Sequence, residues 1–201
     1  MRVFDAVLCD IDGVLRCWPP ADPIELAHGL PRGSLLASAF APARLGPAVT
    51  GAITDDQWRA AVADDLATVS GSASRAAAAV AAWSAVLPAV DSQVAALLAR
   101  ARRQLPVVLV SNGTTRLEAD LRRQHLQDLA SAVVNSARVG AAKPDPRIYL
   151  AAAQEAAVPP GRCLFVDDTP AHVTAARALG MIAVRYRHPG DLAKALAAIT
   201  G

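Results

Sequence analysis

Two pairs of carboxylates stand where a chemical site would need them. Asp10 and Asp12 follow an apolar run in Asp10-Ile11-Asp12-Gly13-Val14, and Asp167 and Asp168 follow another in Asp167-Asp168-Thr169-Pro170. Acids so close together at the end of a buried strand repel one another and lose hydration, so a cation or a division of protonation labour is the natural explanation. Each pair also has an ordinary reading. Asp-Gly is a common turn dipeptide, and acids just before a helix that starts at a proline complement the helix dipole. If all four converge, their charge requires a divalent cation. An oxygen-only set without Cys or His selects magnesium rather than zinc.

Two further segments supply donors. Ser111-Asn112-Gly113-Thr114-Thr115 follows an apolar run and leads into a helical pattern. Free amides at a helix start, preceded by hydroxyls, cradle phosphate, although the same residues also make an ordinary N-cap. Lys143 sits in Gly140-Ala141-Ala142-Lys143-Pro144-Asp145-Pro146. Most lysines are solvated surface groups. Here two prolines stiffen the loop and fix how the ammonium is presented, which suits it to offset the acids and hold a phosphoryl oxygen.

The elements that position these residues are short apolar runs at 6–9, 107–110, 163–166 and 181–184, with a weaker fifth at 132–135. Bounded by turn residues, they read as buried parallel strands. Helical patterns lie between them at 91–104, 115–129, 145–157 and 170–179, and a closing helix is expected at 191–199. Such alternation predicts an α/β fold, a parallel sheet covered by helices on both faces, with ligands at the carboxyl ends of the strands.

Residues 15–89 break the alternation, being rich in Ala and Pro without a convincing buried strand, and read as an inserted helical unit. Thr54-Asp55-Asp56-Gln57 forms a plausible capping box before a helix at 58–69. The Ala-rich stretch at 73–85 reads either as another helix or as a poorly specified segment. Trp18, Trp58 and Trp83 lie in or beside the insert and are expected to anchor its packing, with Trp18 near enough to Asp12 to line an entrance. His28, His125, His172 and His188 are scattered and read as structural or surface groups.

With 201 residues, 53% of them hydrophobic, the chain fits one domain or a core carrying an insert. Twenty basic residues against 18 acidic ones give a net charge of +2, no general electrostatic reason to expect nucleic acid or an anionic membrane as partner. Small substrates fit better, with the chain a monomer or homodimer. Cys9, Cys17 and Cys163 are odd in number and lack metal or redox spacing, so they are expected to be reduced. Neither a signal peptide nor about 18 consecutive apolar residues is found, which makes a cytoplasmic location the default expectation.

Taken in order, Asp10-Ile11-Asp12-Gly13-Val14, Val108-Leu109-Val110-Ser111-Asn112, Lys143-Pro144 and Phe165-Val166-Asp167-Asp168 resemble the four motifs of the haloacid dehalogenase (HAD) superfamily. The resemblance implies a doubly wound, Rossmann-like core at 1–14 and 90–201 with a variable helical cap at 15–89. It implies that Asp10 is a nucleophile forming an aspartyl-phosphate, and that Asp12 is the acid for the leaving oxygen and then the base for water. It further implies that Ser111 and the amides of Asn112 and Gly113 hold phosphoryl oxygens while Lys143 stabilises charge. Magnesium is implied on Asp10, the Asp12 carbonyl and Asp168, with Asp167 in support or exchanging that role. Dehalogenases of the superfamily generally lack the second acid of the first motif, so Asp12 favours a phosphatase of small organic phosphomonoesters. Phosphomutase or dehalogenase chemistry on the same nucleophile, and a non-catalytic binding protein, are the alternatives.

Overall fold

The computed structural model describes residues 2–197. The chain opens with β1 (Ala6–Cys9) and β2 (Arg16–Cys17), then enters helices α1 (Asp22–Ala27), α2 (Ser34–Ala39), α3 (Pro42–Val49), α4 (Asp55–Ser70) and α5 (Ala73–Ala85). It leaves them through β3 (Ala89–Val90), α6 (Ser92–Arg102), β4 (Val107–Ser111), α7 (Leu117–Arg123), β5 (Ala132–Asn135) and α8 (Ser136–Val139). The last elements are α9 (Pro146–Glu155), β6 (Cys163–Asp167), α10 (Pro170–Ala178), β7 (Ile182–Arg185) and α11 (Pro189–Leu196).

Five strands form a parallel sheet in the order β5-β4-β1-β6-β7. β1 is central because both of its faces are apolar. Val7 and Cys9 join Leu98, Leu121 and Leu192 in one core, while Ala6 and Leu8 join Ile148, Tyr149 and Val173 in the other. Strands buried on both faces carry continuous apolar runs rather than alternating ones, which is why the sequence marks them. From β1 the chain goes to β4 and β5 on one side, then to β6 and β7 on the other. The reversal leaves a crevice at the carboxyl end of β1, between β4 and β6, where ligands bind in sheets of this kind.

Some expected boundaries move. The run at 181–184 forms β7 one residue later, and β4 and β6 each extend by one residue, to Ser111 and Asp167. The single helix expected at 115–129 is instead α7 followed by a short 3₁₀ turn at Gln127–Leu129, because His125 adopts φ 55 between them. A left-handed residue cannot continue an α-helix. Residues 198–199 of the expected closing helix lie outside the described residues.

The insert has a core of its own, with Leu35, Trp58, Val62, Leu66, Ala76 and Ala79 buried among α1–α5. The capping box at α4 forms: the Thr54 hydroxyl accepts from Gln57 N at 3.2 Å and the Gln57 side chain accepts from Thr54 N at 2.8 Å. The Ala-rich segment is the regular helix α5, its Ala76, Ala79 and Val80 buried. Glu25, fully buried in α1, accepts from the amides of Gly33 at 2.7 Å and Leu35 at 2.8 Å, which ties the α1–α2 loop. β2 and β3 pair antiparallel at the neck where the chain enters and leaves the insert. Cys17 lies exposed there, whereas Cys9 and Cys163 are buried in the sheet, and all three thiols are free. No described helix is long and apolar enough to cross a membrane.

Candidate active site

Lys143 is the hub. Its Nζ lies 2.7 Å from Asp10 Oδ1 at the end of β1, 2.7 Å from Asp167 Oδ2 at the end of β6, and 3.2 Å from the Val110 carbonyl of β4. All three side chains are buried, and burying one ammonium between two carboxylates is tolerable only with this density of charge-assisted bonds. Asn112 sets the lysine in place: its Oδ1 accepts from Lys143 N at 2.7 Å and its Nδ2 donates to Lys143 O at 2.9 Å. The side-chain amide of Asn112 is thereby a latch on the lysine loop.

The two acids that flank the ammonium have opposite electrostatics. Burial pushes the Asp10 carboxyl up to about 8, with Lys143 working against the rise. Burial also acts to raise Asp167, but the hydrogen bond from His172 and the charge of Lys143 outweigh it and draw that acid down to about 2. Lys143 itself is raised, because the two carboxylates overcome the burial that disfavours its charge. Asp10 Oδ1 accepts from both Lys143 and the Ile11 amide, the latter at 2.7 Å. Oδ2 of Asp10 takes no donor from the described residues.

Asp12 points into a different set of partners. Arg16 grips it with two bonds, Nε to Oδ1 at 3.1 Å and Nη2 to Oδ2 at 3.0 Å, and the Trp18 indole donates to Oδ1 at 2.8 Å. Arg16 is buried and its remaining arm donates to Gln124 Oε1 at 3.0 Å. Sequence reasoning places Arg16 only among residues near a substrate and misses it as the partner of Asp12, although a position four residues away is within reach.

Asp168 is half-buried, and its carboxylate lies against Gly13. A Cβ on Gly13 would fall 2.3 Å from Asp168 Oδ2, and Gly13 has φ +92, so a side chain is excluded by space and by backbone together. His172, read from the sequence as structural or surface, contacts the site directly: its Nδ1 is 3.0 Å from Asp167 Oδ1. Asp10, Asp167 and His172 bring ligand atoms within 4.8 Å of one another. The Lys143 ammonium already lies between the two acids of that group, and Asp167, 0% exposed, also accepts from Thr169 N at 2.8 Å. Among the described residues no cation pairs with the Asp168 carboxylate, Arg185 Nε reaching only its backbone carbonyl at 3.4 Å, so that carboxylate, with Asp10, offers the hard oxygen donors that suit magnesium.

Ser111 ends β4 opposite Asn135 in the neighbouring strand. α7 starts only at Leu117, so the Asn112 and Gly113 amides belong to the preceding loop and not to a helical first turn. Buried Asn135 shapes that loop, donating to Thr114 O at 2.9 Å, and Ser136 Oγ donates to Gly113 O at 3.2 Å. The insert docks on the same loop. Thr114 Oγ1 donates to Asp55 Oδ1 at 2.7 Å, and the Asp55 amide at the start of α4 donates to Thr115 Oγ1 at 2.9 Å. Between insert and loop is a cavity of about 480 Å³ whose walls include Asp12, Asn112 and Gly113 at one end and Trp58 and Trp83 of the insert.

The chain matches the hydrolase family described as haloacid dehalogenase-like hydrolase over residues 4–180. It is 39% identical over 92 residues to a phosphatase of Mycobacterium tuberculosis, a stretch covering 45% of this chain and 42% of that protein. It is 35% identical over 69 residues to the bifunctional epoxide hydrolase 2 of Sus scrofa, covering 34% of this chain and 12% of that one. The matches thus span less than half the length of either curated relative. Among solved structures, a HAD family enzyme of Bacteroides thetaiotaomicron in complex with magnesium and inorganic phosphate superposes with a TM-score of 0.72 at 18% identity, covering 92% of this chain and 94% of that one. The L-2-haloacid dehalogenase of Xanthobacter autotrophicus, with chloropropionic acid covalently bound, gives 0.65 at 21% identity over 96% and 82%. A five-stranded parallel sheet with an inserted helical region, and a family match running through nearly all of it, make this chain a member of the haloacid dehalogenase-like hydrolases.

Proposed function

We propose that the protein is a magnesium-dependent phosphatase of small organic phosphomonoesters, acting through an aspartyl-phosphate on Asp10. The observation that carries this reading is the contact of one buried lysine with both Asp10 and Asp167 beside the Ser111–Gly113 loop. Asp10 Oδ2, which takes no donor from the described residues, attacks phosphorus in line while Lys143 holds Oδ1 and draws charge from the transferring group. Splitting one displacement into two easier ones is what a carboxylate nucleophile provides. Ser111 and the amides of Asn112 and Gly113 hold the equatorial oxygens, over which a loose phosphoryl transition state spreads its charge. Asp12 gives a proton to the leaving oxygen, then takes one from the water that cleaves the acyl-phosphate. Arg16 and Trp18 position that carboxylate.

Asp10, the Asp12 carbonyl and Asp168 are the proposed magnesium ligands, with Asp167 orienting Lys143. Magnesium, when bound, offsets the negative charge of the acids and of the phosphoryl group. Residues 15–89 serve as a cap over a core made of 1–14 and 90–201, and the cap encloses the leaving group. The 39% identity to a phosphatase supports this reading over dehalogenation.

The direct test is phosphate release from p-nitrophenyl phosphate and a panel of small phosphomonoesters, with and without magnesium, comparing wild type with Asp10→Asn. Release that needs magnesium and falls at least about a thousandfold in the variant is expected, since such a loss is typical when a nucleophile is removed. A folded, magnesium-loaded wild type that releases nothing from any ester would overturn the proposal.

A further inference from the structure

The cavity that joins the loop after β4 to the insert has a chemistry of its own. Its wall begins at Asp12, Asn112 and Gly113 and continues over Phe40, Trp58 and Trp83. Its volume, about 480 Å³, is in the range of pockets that enclose a small organic molecule. The side chains facing it from the insert are mostly aliphatic or aromatic, with Leu36, Leu45 and Val49 among them.

The charged groups of this wall are already matched. It has two cations, Arg16 and Arg59. Arg16 is spent on Asp12 and Gln124. Arg59 pairs with Asp55 at 2.6 Å, donates to Ser84 Oγ at 2.9 Å, and lies over the Trp58 and Trp83 rings at 5.4 and 4.6 Å. The third acid of the wall, Asp120, is held by Arg116 at 3.1 Å. Among the described residues, no lysine or histidine lines the cavity. A second phosphate or a carboxylate on the substrate would therefore meet three acids and no unpaired cation among the described residues. A polyol would exchange much of its water for carbon surface, at a cost of about 1–3 kcal/mol for each hydroxyl that finds no partner there.

From this match of apolar wall and internally neutralised charge, we infer that the cavity takes an uncharged, apolar aryl or arylalkyl group as the organic part of the substrate. The inference rests on the phosphatase reading for the other half of that substrate, the phosphoryl group at Asp10. Phosphate at one end and a ring at the other define the ligand class: monoesters of apolar alcohols, in preference to phosphorylated polyols, acids or bisphosphates.

Two measurements test it. The first compares kcat/KM for 2-phenylethyl phosphate, glycerol phosphate and a propanediol bisphosphate. All three have aliphatic alkoxide leaving groups, so differences report on the cavity more than on the chemistry. The arylalkyl ester is expected to lead by at least tenfold, about the value of burying one large apolar group. Phe40→Ala should reduce that lead by about threefold or more; Phe40 is 56% exposed, so the fold tolerates the change. Equal rates, or a lead for either polar ester, would overturn the inference while leaving the phosphatase reading intact.

The second measurement titrates 2-phenylethanol and glycerol, without phosphate, into the wild type and follows the fluorescence of Trp18, Trp58 and Trp83, all three of which line the cavity. Saturable binding of the aromatic alcohol alone is expected, and its absence at millimolar concentration also overturns the inference. If no ester turns over, including p-nitrophenyl phosphate, the phosphatase reading fails and this titration alone decides what the cavity holds.

Discussion

At the scale of single residues, the site is organised by scarcity of positive charge. One ammonium serves two buried acids, so replacing it has a large cost. Lys143→Met should lower stability by about 3–5 kcal/mol, the usual penalty for leaving buried charge unpaired, as read from urea unfolding at neutral pH. Protonation of Asp10, whose carboxyl burial has already raised to about 8, should hold the loss toward the lower end. Gly13 is the second sensitive position. Gly13→Ala must accommodate a methyl 2.3 Å from Asp168 Oδ2 at φ +92. Displacement of Asp168 is expected to raise the magnesium concentration for half-maximal phosphatase activity by at least tenfold, measured by metal titration of the variant against wild type.

At the scale of elements, the sheet and the helical character of the insert were legible, from apolar runs and from the Thr54–Gln57 capping box, whereas the neck strands and the contacts between distant elements were not. Ala6–Cys9 and Ala132–Asn135 appear with the expected bounds because an apolar run buried on both faces leaves little freedom. The neck strands β2 and β3 are two residues each and largely exposed, so no periodicity announces them. Long-range partners left no mark either. Asp55 meets Thr114 from 59 positions away, and His172 reaches Asp167 only because the turn into α10 aims its ring back at β6. The bond between α4 and the loop after β4 has its own test. Thr114→Val removes a hydroxyl donor to a buried carboxylate, worth about 1.5–3 kcal/mol. Faster amide hydrogen exchange is expected in the first turn of α4, with exchange in β1 and β6 unchanged.

At the scale of the whole molecule, the two acids beside Lys143 make stability depend on pH in opposite senses, and Asp10 runs against the usual carboxylate trend. Asp10 in the folded protein titrates at about 8, above its ordinary 3.8, so its contribution is complete below 3.8 and is lost as pH rises through about 8. Asp167, drawn down to about 2 from 3.8, contributes above 3.8 and loses that contribution as pH falls through about 2. Metal-free wild type should therefore lose Tm steadily between about pH 5 and 8, by roughly 2–4 °C per kcal/mol for a chain of this size. Asp10→Asn should abolish that slope and melt higher at pH 8, which differential scanning calorimetry in a chelator would register. The thiols offer a practical handle on the same molecule. With Cys9 and Cys163 sealed in the sheet and Cys17 exposed on β2, a maleimide dye added to the native protein attaches at one position. That position neighbours Trp18, whose indole touches Asp12, so one label, with no engineered cysteine, becomes an optical reporter on the strand by which the chain enters the insert.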